Sequence, residues 1–169
     1  MPLQAGDNNP GPIIHDGVMF FFTFPDTVLA IDAINGALLW RYQHESDVRA
    51  SQKKGIALHG DKVFVPTSDL HVLALSAKTG ELIWDHEIET EVGLSGYNLR
   101  SAPFVVGDKV MQGITSLRIA KGGWIIALDI ETGEAEWRFN TIPRPGEPGG
   151  NSWNGLPIEE RSGGSVWNA

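Results

Sequence analysis

Ala74-Leu75-Ser76-Ala77-Lys78-Thr79-Gly80-Glu81-Leu82-Ile83-Trp84 is one of three copies of a pattern that the chain repeats in register. The first copy is Ala30-Ile-Asp-Ala-Ile-Asn-Gly36-Ala-Leu-Leu-Trp40, and the third is Ala127-Leu-Asp-Ile-Glu-Thr-Gly133-Glu-Ala-Glu-Trp137. Each has Asn-Gly or Thr-Gly at its centre and Trp four residues after the Gly. The spacing is 44 residues (30 to 74) and then 53 (74 to 127). A period of this size marks a propeller or solenoid.

The local chemistry of each copy is that of a hairpin. An apolar strand (Val28–Ile31, Val72–Leu75, Ile125–Leu128) ends at Asp or Ser, whose side chain can accept a nearby backbone N–H and start a turn. The Gly supplies the left-handed position that the turn needs. A second strand then carries Leu38 and Trp40, Leu82 and Trp84, or Ala135 and Trp137 at period two. Another hairpin precedes each copy, turning at Asp16-Gly17, Gly60-Asp61 and Gly107-Asp108. Four strands per unit make one propeller blade, and apolar residues on both strand faces suit a blade sandwiched between neighbours. The expected fold is therefore all-β, an arc of about three four-stranded blades at residues 10–45, 54–89 and 101–142. A long loop follows at 143–165, and residues 166–169 begin a further blade. Three blades do not close a propeller, so the arc is expected to be part of a longer one.

Composition agrees. Gly 20 and Pro 10 make up about 18% of the 169 residues, against about 12% in an average chain. Helices resist both residues. A hydrophobic content of 41% is too high for a disordered chain. No apolar run is long enough to cross a bilayer as a helix. The net charge of −8 repels phosphate backbones and argues against nucleic acid. Cys 0 excludes disulfides, thiolate metal sites and cysteine nucleophiles. Met1 to Pro12 carries neither a basic start nor an apolar stretch, so no targeting signal is legible there.

Two places break the repeat. Val63 to Ala74 is 11 residues, whereas the equivalent step from Val110 to Ala127 is 17. The six extra residues fall within 114–123. The second break, Thr141 to Ser165, holds four Pro and six Gly in 25 residues and ends in Arg161-Ser-Gly-Gly-Ser-Val-Trp167. Long irregular loops in compact domains are usually functional or disordered; Trp153, Leu156, Ile158 and Trp167 offer anchors against disorder. A Gly pair admits close backbone approach, and the Trp beside it offers a flat stacking face. His15, His44, His59, His71 and His86 lack metal-ligand spacing. Glu159-Glu160-Arg161 offers a carboxylate pair but reads more readily as a solvated charged loop. There is no glycine-rich phosphate loop and no nucleophile elbow.

These features together resemble the pyrroloquinoline quinone (PQQ)-dependent alcohol dehydrogenases, whose eight-bladed propellers carry an Ala-x-Asp-x-x-Thr-Gly-x-x-x-Trp tryptophan-docking motif. The resemblance also covers the Gly-Asp-Lys-Val turns, Gly122-Gly-Trp-Ile-Ile-Ala-Leu-Asp129, Trp137-Arg-Phe-Asn-Thr-Ile-Pro143 and Gly163-Gly-Ser-Val-Trp167. It implies a fragment of an oxidoreductase that passes hydride from an alcohol to bound quinone. A cytochrome or membrane quinone would accept the electrons, in the periplasm. By position, Trp167 matches the stacking Trp, Gly163 and Gly164 lie beside it, and Thr115 matches a cofactor-contacting Ser. Lys54 stands where the family has an Arg that meets a cofactor carboxylate, Asn9 about where it has a Glu, and Arg100 where it has a Thr. Arg118 replaces a Glu that ligates the calcium or lanthanide ion, which argues against ordinary calcium binding there. No metal ligand is assigned within this chain. The vicinal cysteines of the family are absent, and its catalytic Asp base matches no residue up to 169, so this fragment alone is expected to be inactive. A noncatalytic propeller scaffold built from the same repeats is the alternative.

Overall fold

A computed structural model of the chain describes residues 10–48, 54–90, 94, 96–116 and 119–166. Three antiparallel sheets follow one another along the chain. The first contains β1 (Ile13–His15), β2 (Val18–Thr23), β3 (Thr27–Asp32) and β4 (Leu38–Gln43). The second contains β5 (Ala57–His59), β6 (Lys62–Pro66), β7 (His71–Ser76) and β8 (Leu82–Glu87). A two-stranded pairing by β9 (Tyr97–Asn98) precedes the third, which contains β10 (Phe104–Val106), β11 (Lys109–Ser116), β12 (Trp124–Asp129) and β13 (Ala135–Asn140). Each sheet runs in chain order.

The period of two decides where the core sits. In the middle sheet, Val63, Val65, Leu73 and Leu75 face the first sheet and pack with Phe20, Phe22, Val28, Ala30 and Trp40. Their neighbours Phe64, Val72, Ala74 and Trp84 face the other way and pack with Val110, Ile114, Trp124, Ile126 and Leu128 of the third sheet. Residues 63–65 and 72–75 are therefore all fully buried, as expected of strands covered on both sides.

The repeated Trp and Gly form the joints. The Trp40 indole lies on Gly80, whose absent Cβ would come 2.6 Å from the ring, and its Nε1–H donates to Ala77 O at 3.0 Å. Trp84 lies likewise on Gly133, at 2.7 Å, and donates to Ile130 O at 3.1 Å. Both glycines have left-handed backbone, φ +76° and +74°. Gly36 has the same φ of +76° with nothing within 4 Å of its Cβ position. Trp137 is 40% exposed, against 9% for Trp40 and 8% for Trp84.

The turns form as their chemistry dictates. Asp32 Oδ1 accepts from the N–H of Ile34 and Asn35. Asp129 Oδ1 accepts from the N–H of Glu131 and Thr132 and from the Thr132 hydroxyl. These bonds, led by the Thr132 backbone N–H, hold the Asp129 carboxyl below its usual pKa. Ser76 makes a single bond of this kind, Thr79 N–H to Oγ at 3.2 Å. Asp129→Ala is expected to lower stability by removing three turn hydrogen bonds. Ser76→Ala is expected to cost less. Urea midpoints of the two variants measure the difference, and equal losses would contradict it.

Candidate functional site

The inserted connection of the third sheet and the end of the long loop meet. Thr115, on β11 and fully buried, donates its hydroxyl to Val166 O at 2.6 Å. Ser165 Oγ bonds Ser116 O. Lys121 N–H donates to Arg161 O at 2.7 Å, and Ala120 bridges antiparallel to Ser162. Residues 161–166 are thereby laid along β11 and the residues after it. Glycines make this approach possible: Gly163 O and Ile142 fill the space beside Gly122, and Gly164 O and Ile114 O that beside Gly123. A side chain at either position would push the segment away.

The neighbouring connections join the same patch. Lys54 N–H donates to Arg100 O at 3.0 Å, which sets the chain entering the middle sheet beside the chain entering the third. Ser101 follows directly, and Gln112 ties it down: Gln112 Nε2 donates to Ser101 O, Ser101 Oγ and Gly113 O at 3.2, 3.0 and 2.8 Å. Val166 and Ser101 both lie against Gly113. Lys54, Arg100, Thr115, Gly163 and Gly164 thus occupy one contiguous region. The side chain of Lys54 is exposed and that of Arg100 half-buried. Gly163, at φ +107°, has open space on its Cβ side, whereas Gly164 rests on Thr141. Asn9, Arg118 and Trp167 lie outside the described residues. Two cationic residues, Lys54 and Arg100, and a glycine with open space, Gly163, thus lie on the connections that surround β11. Among the described residues no group of three His, Asp or Glu side chains could hold a metal ion.

Sequence reasoning missed a second polar cluster, between the first and middle sheets. His44 Nε2 meets Asp69 at 2.9 and 3.1 Å, Thr67 donates to Asp69 at 2.5 Å, and His71 Nδ1 meets Asp85 at 2.6 Å. The two imidazoles are 5.6 Å apart. The His44–Asp69 pairing spans 25 residues and two sheets, and His71–Asp85 spans 14 residues across β7 and β8, so neither leaves a local signal in a sequence. Burial acts to raise the Asp69 carboxyl, but hydrogen bonds from Thr67 and His44 outweigh it and leave the pKa below its ordinary 3.8. Burial holds the adjacent His86 below 6.5, with a smaller push the same way from His71, against the hydrogen bond at Gly133 and the charges of Asp85 and Glu89, which act to raise it. A histidine depressed in the folded state contributes stability above its unfolded pKa and loses it as pH falls towards the folded value. The urea midpoint is therefore expected to drop as pH falls from about 6.5, and His86→Leu to remove that part of the slope; an unchanged slope would sink the assignment.

Residues 3–169 match the family described as the glucose/ethanol/alcohol dehydrogenase β-propeller domain (PQQ). The chain is 35% identical to quinohemoprotein alcohol dehydrogenase ADH IIB of Pseudomonas putida, over 96% of this chain and 26% of that protein. It superposes on the crystal structure of quinohemoprotein alcohol dehydrogenase from Comamonas testosteroni with a TM-score of 0.75 and 30% identity, covering 85% of this chain and 22% of the other. BamB from Moraxella catarrhalis shares the fold alone, at 23% identity and a TM-score of 0.56. The chain spans about a quarter of the length of the curated relatives it matches.

Proposed function

Because this chain belongs to the PQQ-dependent dehydrogenase β-propeller family, we propose that it supplies three blades and part of the quinone platform of an enzyme that oxidises an alcohol. The observation that supports this reading is the laying of residues 161–166 along the third sheet, with Thr115 bonded to Val166 O, close in the chain path to the Lys54–Arg100 backbone bond. When bound, PQQ supplies a two-electron acceptor for the alcohol's hydride. The chain's own residues bind and orient it. Lys54 and Arg100 would attract the carboxylates of a trianion that the overall charge of −8 otherwise repels. Gly163 and Gly164 would let the ring plane approach the backbone, with the Trp167 indole as its stacking face. Thr115 spends its proton on Val166 O, so it would hold the residue beside Trp167 in place.

Arg118, with Lys54 and Arg100, would supply positive charge where relatives use a metal, and Asn9 a neutral polar contact. No calcium or lanthanide ligand is assigned here. The parent protein would act in the periplasm and hand electrons to a cytochrome or quinone; the catalytic base is expected outside these residues. The tryptophan-docking motif of the family would correspond to the Trp40–Gly80 and Trp84–Gly133 joints.

The experiment is a titration of the full-length apo-protein with PQQ, with and without calcium or a lanthanide, following quinone absorbance and dye reduction by alcohols. Binding with alcohol-dependent dye reduction is expected. Lys54→Glu is expected to weaken binding at least about tenfold, since it reverses a charge facing an anion. Absence of binding under every metal condition would overturn the reading in favour of a noncatalytic scaffold. Unchanged affinity and turnover in Arg118→Ala would refute the charge-substitution role of that residue.

A further inference from the structure

The structure assigns Arg161 as the positioning residue for the glycine-bearing segment 162–166, an inference that rests on the quinone-binding reading above. Arg161 ends the run Glu159-Glu160-Arg161, yet it differs from its neighbours: both glutamates are exposed, and Arg161 is 6% exposed. Its Nε donates to Leu156 O at 2.8 Å, and its Nη1 donates to Pro143 O at 3.2 Å and Gly150 O at 3.0 Å. The guanidinium also lies 5.5 Å from the Trp153 ring. Three carbonyls from three separate points of the 143–156 loop therefore converge on one side chain.

A buried cation needs such a set of acceptors. Neutral carbonyls can supply it only while the loop is folded around the fork, so the loop conformation and the burial of Arg161 depend on each other. Lysine, with a single ammonium on a flexible stem, does not reproduce that planar fork.

What makes this more than a loop staple is the chain direction. Arg161 O accepts from Lys121 N–H, Ser162 bridges to Ala120, and the Val166 carbonyl is held by Thr115. The same residue thus terminates the loop and begins the segment laid along the third sheet. Its side chain fixes one end of that segment, and Thr115 fixes the other. The loop is held on its far side as well, by Arg144 Nη1 donating to Lys121 O at 2.8 Å and Thr141 Oγ1 to Gly123 O at 2.6 Å. Freeing the guanidinium would leave that end of residues 162–166 held by the Lys121–Arg161 and Ala120–Ser162 backbone contacts alone, no longer braced by the folded loop.

The test uses the full-length protein as wild type, Arg161→Met and Arg161→Lys, with three readouts: PQQ affinity by quinone absorbance, the rate of limited proteolysis within 145–160, and the urea midpoint. Arg161→Met is expected to raise the quinone Kd at least about tenfold and to accelerate cleavage of the loop by a similar factor. The urea midpoint should move little, because the described hydrogen bonds of this side chain all go to the 143–156 loop and none to a strand. Arg161→Lys keeps the charge and is expected to fall between wild type and Met on both readouts. Faster cleavage with wild-type affinity in both variants would reduce Arg161 to a loop staple and overturn the positioning role. Unchanged cleavage and affinity would overturn it as well. If Arg161→Met fails to fold, wild-type affinity in Arg161→Lys overturns the role alone. Failure of wild type itself to bind quinone would instead bring down the functional reading on which this inference rests.

Discussion

Gly133→Val is expected to destabilise the chain by about 3–5 kcal/mol, while Gly36→Val, at the same backbone φ, is expected to cost only about 1–2 kcal/mol. Both substitutions put a β-branched residue into left-handed backbone, at φ +74° and +76°. The difference lies in what meets the new side chain. At Gly133 a Cβ would come 2.7 Å from the Trp84 ring, so the indole must leave. Its burial and its bond to Ile130 O are then lost together. At Gly36 nothing lies within 4 Å. Urea unfolding of the pair separates ring displacement from backbone strain, and equal losses at the two sites would show that the joint contributes nothing.

Gln112→Leu preserves volume and is nevertheless expected to cost about 1–3 kcal/mol, because buried Ser101 O loses its amide donor and Gly113 O keeps only the Ser101 hydroxyl at 3.3 Å. Gln112 is fully buried, and its Nε2 serves Ser101 O, Ser101 Oγ and Gly113 O. Its own Oε1 has no hydrogen-bond partner among the described residues. That orphan makes the outcome decisive. If relieving Oε1 outweighs the loss of these bonds, the Leu variant will be more stable than wild type, and the amide will not be the strut between Ser101 and β11. The thermal midpoint of the variant distinguishes the two results.

The fold was legible because its determinants are local and repeated. Asn35-Gly36, Thr79-Gly80 and Thr132-Gly133 announce turns by chemistry, and the alternation through Val63-Phe64-Val65 announces a strand covered on both sides. β9 was not legible: Tyr97 and Asn98 form a strand only because Ser116 and Thr115 lie opposite, and two residues carry no periodicity. Arg161 was misread as part of a solvated charged run, since a sequence displays its acidic neighbours but not the three carbonyls that bury it. The candidate site was legible only in part and by resemblance. The numbers 54, 100, 115 and 163 do not by themselves say that one backbone bond joins Lys54 to Arg100 or that Thr115 reaches Val166. The His44–Asp69 and His71–Asp85 pairs were invisible for the same reason.

The Trp-on-Gly joint is directional, since at both joints the ring comes from the earlier sheet and the glycine from the later one. A gene segment encoding one sheet therefore encodes one complete joint, split between its two faces. Duplicating such a segment adds a member to the row without demanding any change in its neighbours, whereas reversing one would set ring against ring and glycine against glycine. Repeat number in this architecture can thus vary by whole sheets through simple duplication, while the order of ring and glycine along the chain is inherited unchanged.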